Sequence, residues 1–225
     1  MTGTSVRIQT IATTIEPRGT RIADSEATKA NILDVARQEF ADKGLSGARI
    51  DEIAERTNTS KRMIYYHFAS KEGLYRAVLE DAYTRIRETE TAMPIETMGA
   101  EEALKANVRL TFDYHHQHPE FVRLVMNENI HHGEYIKHVA GIERRNESVI
   151  RVLGEIIAKG RSEGVFRDDL DPIDLHMTIS ALSFYNVSNR YTFSEIFRRD
   201  MTSPRAVELR REQVVDVVLA ACRPR

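Results

Sequence analysis

Apolar positions along the chain recur at the three- and four-residue spacing of helices buried on one side, and nowhere sustain the alternation of a strand. Ile32, Val35, Ala36 and Phe40 predict a first helix from Ser25 to Lys43, closed by Gly44 where a left-handed C-cap is expected. Ile50, Ile53 and Ala54 predict a short second helix. Ile64 and Phe68 predict an equally short third one, with Ser60 as its N-cap. A fourth helix runs from Lys71 through Leu74, Val78, Ala82 and Ile86 to about Glu90, capped by Ser70, and Met93-Pro94-Ile95 breaks it. After a polar loop to Gly99, residues 101–118 read as helical until His118-Pro119, because a residue before proline is pushed out of helical geometry. A short helix follows through Phe121, Leu124 and Met126. After Gly133 a long amphipathic helix is expected to reach Gly160, through Ile136, Val139, Ile142, Val149, Leu153 and Ile157. Asp171-Pro172 and Ser203-Pro204 each combine a capping side chain with a proline in the first turn, so each opens a helix, the second reaching Cys222. The expected fold class is all-α. Residues 1–24 have no sustained period and are expected to be a disordered arm, whose Arg7, Arg18 and Arg21 could reach phosphate or a minor groove.

The two shortest helices are joined by Thr57-Asn58-Thr59, where Asn58 tolerates the left-handed backbone that a tight inter-helix turn needs. Two short helices about a turn apart form a helix-turn-helix, whose second helix can enter a major groove. With Ile64 and Phe68 facing inward, Lys61, Arg62, Tyr65 and Tyr66 face outward. Cations at a helix N-terminus oppose the macrodipole, a small cost that makes sense beside a polyanion. Charge sharpens this picture. The formal net charge is −2 over 225 residues, with 41% hydrophobic and 29% charged side chains, so the chain is an ordinary globular composition and not a generally basic coating protein. From Arg56 to Arg76, however, Arg56, Lys61, Arg62, Lys71 and Arg76 face a single Glu72. One cysteine, Cys222, excludes an intramolecular disulfide. No apolar run reaches membrane-spanning length and no signal-peptide core precedes the first helix, so a cytoplasmic location without membrane contact is expected.

Residues 26 to about 76 resemble the DNA-binding domain of the TetR family of bacterial one-component repressors. The resemblance is carried by Ile32-Leu33-Asp34-Val35-Ala36, then Phe40, Gly44, Ile50, Ile53-Ala54, Ser60, Tyr65 and Phe68, and finally Ser70-Lys71-Glu72 and Leu74. It implies a three-helix DNA-binding head over residues 25–76 and a helical effector-binding and dimerisation body over 77–225, with the fourth helix connecting them. Two departures are visible. The position of Ala48 is commonly Thr or Ser in the family and contacts phosphate, which Ala48 cannot do, so Arg49 is expected to carry more of the anchoring. The turn has Thr57-Asn58-Thr59 in place of the usual Ala-Gly-Val, and Arg62 and Met63 replace smaller residues, which alters the bases read. The order Pro119-Glu120-Phe121-x-Arg123-Leu124, Asp169-Leu170-Asp171-Pro172 and Arg223-Pro224-Arg225 is similar to the branch containing the pyrimidine-catabolism repressor RutR.

The candidate DNA-binding set is therefore Arg49, Ser60, Lys61, Arg62, Met63, Tyr65, Tyr66, His67 and Lys71. Arg62 has the paired donors that read guanine, whereas Lys61, Lys71 and the tyrosine hydroxyls suit phosphate. An effector pocket is largely apolar with a few polar groups, and the candidates by position are Phe112, His116, Phe121, Met126, Asn129, Ile130, Phe166, Met177, Phe184, Tyr185 and Asn189. The histidines at 115, 116, 118, 131, 132 and 138 include no His-Glu-x-x-His spacing, and consecutive histidines diverge on a helix, so no metal or cofactor is expected; surface or capping roles are the default, and some could instead donate to an anionic or amide effector. The last two helices carry apolar faces too broad for one partner, which points to a homodimer through an isologous four-helix interface. The expected function is a repressor that binds a near-palindromic double-stranded operator and is released by a small-molecule, catabolic effector. Two readings stand beside it: an effector-independent architectural DNA binder, and a metal-dependent enzyme built on the histidines.

Overall fold

The computed structural model describes residues 18–224, all of whose regular elements are helices. The head comprises α1 (Arg18–Gly47), α2 (Ile50–Arg56) and α3 (Lys61–Phe68). The first helix begins at Arg18, before the expected Ser25, because nothing in the intervening sequence stops it and Ser25 sits inside the helix rather than capping it. The expected arm over 1–24, with Arg7, therefore lies outside the described residues up to position 17, and its last seven residues are helical. Gly44 breaks α1 as expected. Its φ of 66° is positive, but its ψ of 176° extends the chain instead of completing a left-handed cap, and one further turn reaches Gly47.

The body comprises α4 (Lys71–Thr91), α5 (Ala100–Gln117), α6 (Pro119–Ile130), α7 (Ile142–Ser162), α8 (Pro172–Ser188), α9 (Arg190–Phe197) and α10 (Pro204–Cys222). Asp171 accepts hydrogen bonds from the Ile173 and Asp174 amides, and Ser203 from that of Ala206, so both expected caps form. The long helix expected from Gly133 starts only at Ile142. Gly141, at φ 69°, interrupts the spiral, and the buried Glu128 carboxylate instead accepts the amides of Tyr135 and Ile136 in the preceding segment. Helix α9, between the two proline-opened helices, has no counterpart in the sequence reading. Its residues are too exposed to show a buried stripe.

Two apolar cores account for the layout. The first joins α1, α2 and α3 to α4 and α6: Phe40 meets Tyr75 edge-on with ring centroids 5.0 Å apart, and Ile32, Ile53, Ile64 and Leu74 are fully buried around them. Each such side chain contributes about 1.5–3 kcal/mol by leaving water, and a well-placed ring pair about 0.5–1.5 kcal/mol more. The second core packs α5 between α7, α8 and α10 through Leu104, Val108, Phe112, Leu153, Ile156 and Val218. Helix α4 belongs to both parts. Its buried apolar residues, from Leu74 through Ile86, all lie in the first core. Its flank is locked to α1 by Arg37, which donates to Asp81 at 2.6 Å and Asp34 at 2.8 Å, while Arg85 donates to the same two carboxylates at 2.9 Å. On the other side α4 packs along α7.

Candidate nucleic-acid interface and effector cavity

The turn between α2 and α3 depends on Asn58, whose φ of 51° is left-handed, and on Thr57, whose hydroxyl donates to the Ile53 carbonyl at 2.7 Å. Ser60 then accepts the Met63 amide at 3.2 Å, capping α3 as expected. With Ile64 and Phe68 buried, the opposite face of α3 is left to solvent. Arg62 is exposed and pairs with no carboxylate among the described residues. Tyr66 is 77% exposed, and Met63 and Tyr65 are also presented outward. Lys61 is exposed but ion-paired with Asp51 of α2, whose carboxyl it holds below the usual range by hydrogen bonding. Binding a phosphate there exchanges one anion for another. His67 is half-buried, its ring edge-on to Tyr66 with centroids 5.3 Å apart, so it supports the surface rather than extending it. Arg49 projects from the N-cap of α2 beside the buried Ala48, and its amide donates to Glu39 at 3.3 Å. Lys71 donates to the Ser46 carbonyl at 3.3 Å, tying the start of α4 to the last turn of α1.

In the body, a cavity of ≈ 580 Å³ lies among α4, α5, α6, α7 and α8. Its apolar wall is Tyr83, Phe121, Val125, Met177, Ala181 and Phe184, and its polar groups are Arg87, His115, Asn129, Asn146, His176 and Ser180. The sequence candidates Phe121, Asn129, Met177 and Phe184 are thus brought together. Others are not. Phe112 and Phe166 are buried in the second core, Phe166 so close to Gly160 that an added methyl would sit 1.9 Å from its ring. Met126 packs against the first core, and Ile130 is exposed at the end of α6. His116 is turned away from the cavity, and its neighbour His115 takes the place expected for it, because successive helical side chains point about 100° apart. Tyr185 borders a separate hollow of ≈ 350 Å³ between α8, α9 and α10. Asn189 ends α8, donating to the Ser188 hydroxyl at 2.7 Å.

Sequence reasoning missed Arg87, Tyr83 and His176. Arg87 and Glu90 are buried and bonded at 2.5 Å. Burial raises the Glu90 carboxyl to about 7, against the pull of Arg87, and lowers the Arg87 guanidinium. His115 and His176 are both lowered to about 4, first by burial and then by the Arg87 charge, so near neutral pH they are uncharged. His118 pairs with Glu120 at 3.1 Å, away from the cavity. Among the described residues no three His, Cys, Asp or Glu side chains are gathered so as to hold a metal ion.

Residues 32–78 match the model for bacterial regulatory proteins of the tetR family, and residues 101–218 match a tetracyclin repressor-like C-terminal domain. This chain belongs to the TetR family. The regulator is 33% identical over 188 residues to the HTH-type transcriptional repressor NicS of Pseudomonas putida, covering 84% of this chain and 89% of that one. It is 32% identical over 114 residues to the HTH-type transcriptional regulator RutR of Escherichia coli, covering 51% and 53%. Its fold matches that of FadR from Bacillus subtilis, solved in complex with stearoyl-CoA, with a TM-score of 0.66 at 16% identity over 85% of this chain and 98% of that one. The family and these relatives are transcriptional regulators rather than enzymes, and no described helix is long and apolar enough to cross a membrane.

Proposed function

We propose that this TetR-family regulator is a cytoplasmic, dimeric repressor that binds a near-palindromic operator and is released by a small-molecule effector. The observation that carries the reading is the double membership of α4: its N-terminal half packs in the head core against α1 and α3, and its C-terminal half supplies Tyr83 and Arg87 to the body cavity. A ligand that fits one setting of α4 better than another shifts the separation of the two heads, and only such differential affinity can do so. An architectural binder without effector has no use for a large cavity containing a buried arginine, which disfavours that alternative.

Dimer pairing is supported by two solvent-facing apolar rows. On α8, Ile173, Met177, Ala181 and Tyr185 recur every four residues, and on α10 Leu209 and Val217 do so across Gln213. Packing both rows on their symmetry equivalents forms a four-helix interface. The recognition helices of the pair then read half-sites ~34 Å or a multiple of it apart.

The head assignments separate by substitution. With fluorescence anisotropy on operator and scrambled duplexes, Arg62→Ala is expected to lose about 1–3 kcal/mol of discrimination, whereas Lys61→Ala weakens both duplexes alike and lowers the salt slope by about 1. Equal loss of specificity in both variants contradicts the assignment of base reading to Arg62.

A further inference from the structure

One side of the body cavity differs from the rest. Against aromatic and aliphatic walls, Arg87, His115 and His176 converge from α4, α5 and α8. Arg87 is 7% exposed and His115 3%, so water does not satisfy them as it would surface groups. Arg87 gives one Nη to Glu90, while its Nε, the Nδ1 of His115 and the Oε1 of Glu90 have no partner among the described residues. The guanidinium, ion-paired through one Nη only, thus keeps unused donor capacity beside the unpartnered Nδ1 of His115.

We infer that the cavity takes a small organic monocarboxylate with a flat apolar body, its carboxylate seated on Arg87 beside His115 and His176. The inference rests on the reading of this cavity as the effector site. A guanidinium presents parallel donors that match a carboxylate, and a neutral imidazole adds one N–H donor without adding charge. One cation suits a monoanion, whereas a phosphate dianion calls for a second cation, and among the described residues no other Lys or Arg lines the cavity. The body of the ligand is set by Tyr83 and Phe121, edge-on with centroids 5.4 Å apart, and by Phe184, which stands edge-on to His115 at 5.8 Å. These rings pack on one another and line the cavity with aromatic surface, against which a planar apolar body packs.

Isothermal titration calorimetry on the full chain without DNA tests the inference directly. The probes are benzoate, 2-naphthoate and biphenyl-4-carboxylate, each paired with its neutral primary amide. At least one acid is expected to bind at least about tenfold more tightly than its amide. That preference should vanish in R87Q and in the double variant R87Q/E90Q, which removes both members of the buried pair and so leaves no uncompensated charge to threaten folding. Amides binding as well as acids, acid preference persisting in the double variant, or no acid binding at millimolar concentration each overturn it. Anisotropy on operator DNA separates this from the broader reading. An acid that binds without releasing operator supports the anion site and contradicts its role as effector site. Release by a neutral amide, with no acid bound, does the reverse.

Discussion

His115 shows how a single position decides the chemistry of the cavity. Leu104, Val108, Thr111 and His115 follow the spacing of one helical face, and all four are buried. The cluster of adjacent histidines obscured which of them continued the row. Arg87 was less legible, since a charged residue at the end of a surface-rich helix gives no sign that its neighbours will bury it. The consequence of burial is measurable. Because His115 is held at about 4 in the fold against its ordinary 6.5, its contribution to stability is complete above pH 6.5 and is lost as pH falls toward 4. His176, more exposed, acts in the same sense to a smaller degree, and Glu90, raised to about 7, acts in the opposite sense, favouring the fold below 4.5 and losing that effect as pH rises through 7. Replacing His115 by Gln should therefore reduce the slope of stability against pH, between roughly pH 5 and 6, by up to about one proton, or ~1.4 kcal/mol per pH unit. Urea unfolding at several pH values measures it, and an unchanged slope contradicts the buried, neutral imidazole.

At the scale of elements, the sequence was most informative where a local rule acts alone. Asn58, Ser60, Ser70, Asp171 and Ser203 all sit where capping or left-handed geometry was expected, since each role is fixed by a few neighbouring atoms. The start of α7 was not legible, because Ile136 and Val139 keep the helical period while a distant carboxylate, Glu128, claims the amides. Helix α9 was hidden for the converse reason: without burial there is no period to read. The turn before α3 makes a direct test. Asn58→Gly is expected to be tolerated, whereas Asn58→Val puts a β-branched side chain at positive φ and should cost about 1–2 kcal/mol. Chemical denaturation of the two variants compares them, and equal stability would contradict the strained turn.

Over the whole molecule, the all-helical order followed from patterning and from the family resemblance, while the cavity required the packing of five helices. Met177 and Ala181 belong both to the cavity wall and to the exposed row on α8, so pairing through that row would place a second subunit at the edge of the cavity. Met177→Glu and Val217→Glu together are expected to turn a dimer into a monomer on analytical ultracentrifugation and to lower operator affinity by at least about tenfold, since a half-site reader loses the coupled second contact. A dimer that survives both charges is held through another face.

The most direct test of the central claim is the occupancy of the purified protein on sheared DNA from its own host. A few strong sites sharing a near-palindrome, with the effector cavity unliganded, are the predicted result, and the genes beside them would indicate the effector's chemistry. Broad binding without a shared motif, or none, would contradict a sequence-specific repressor.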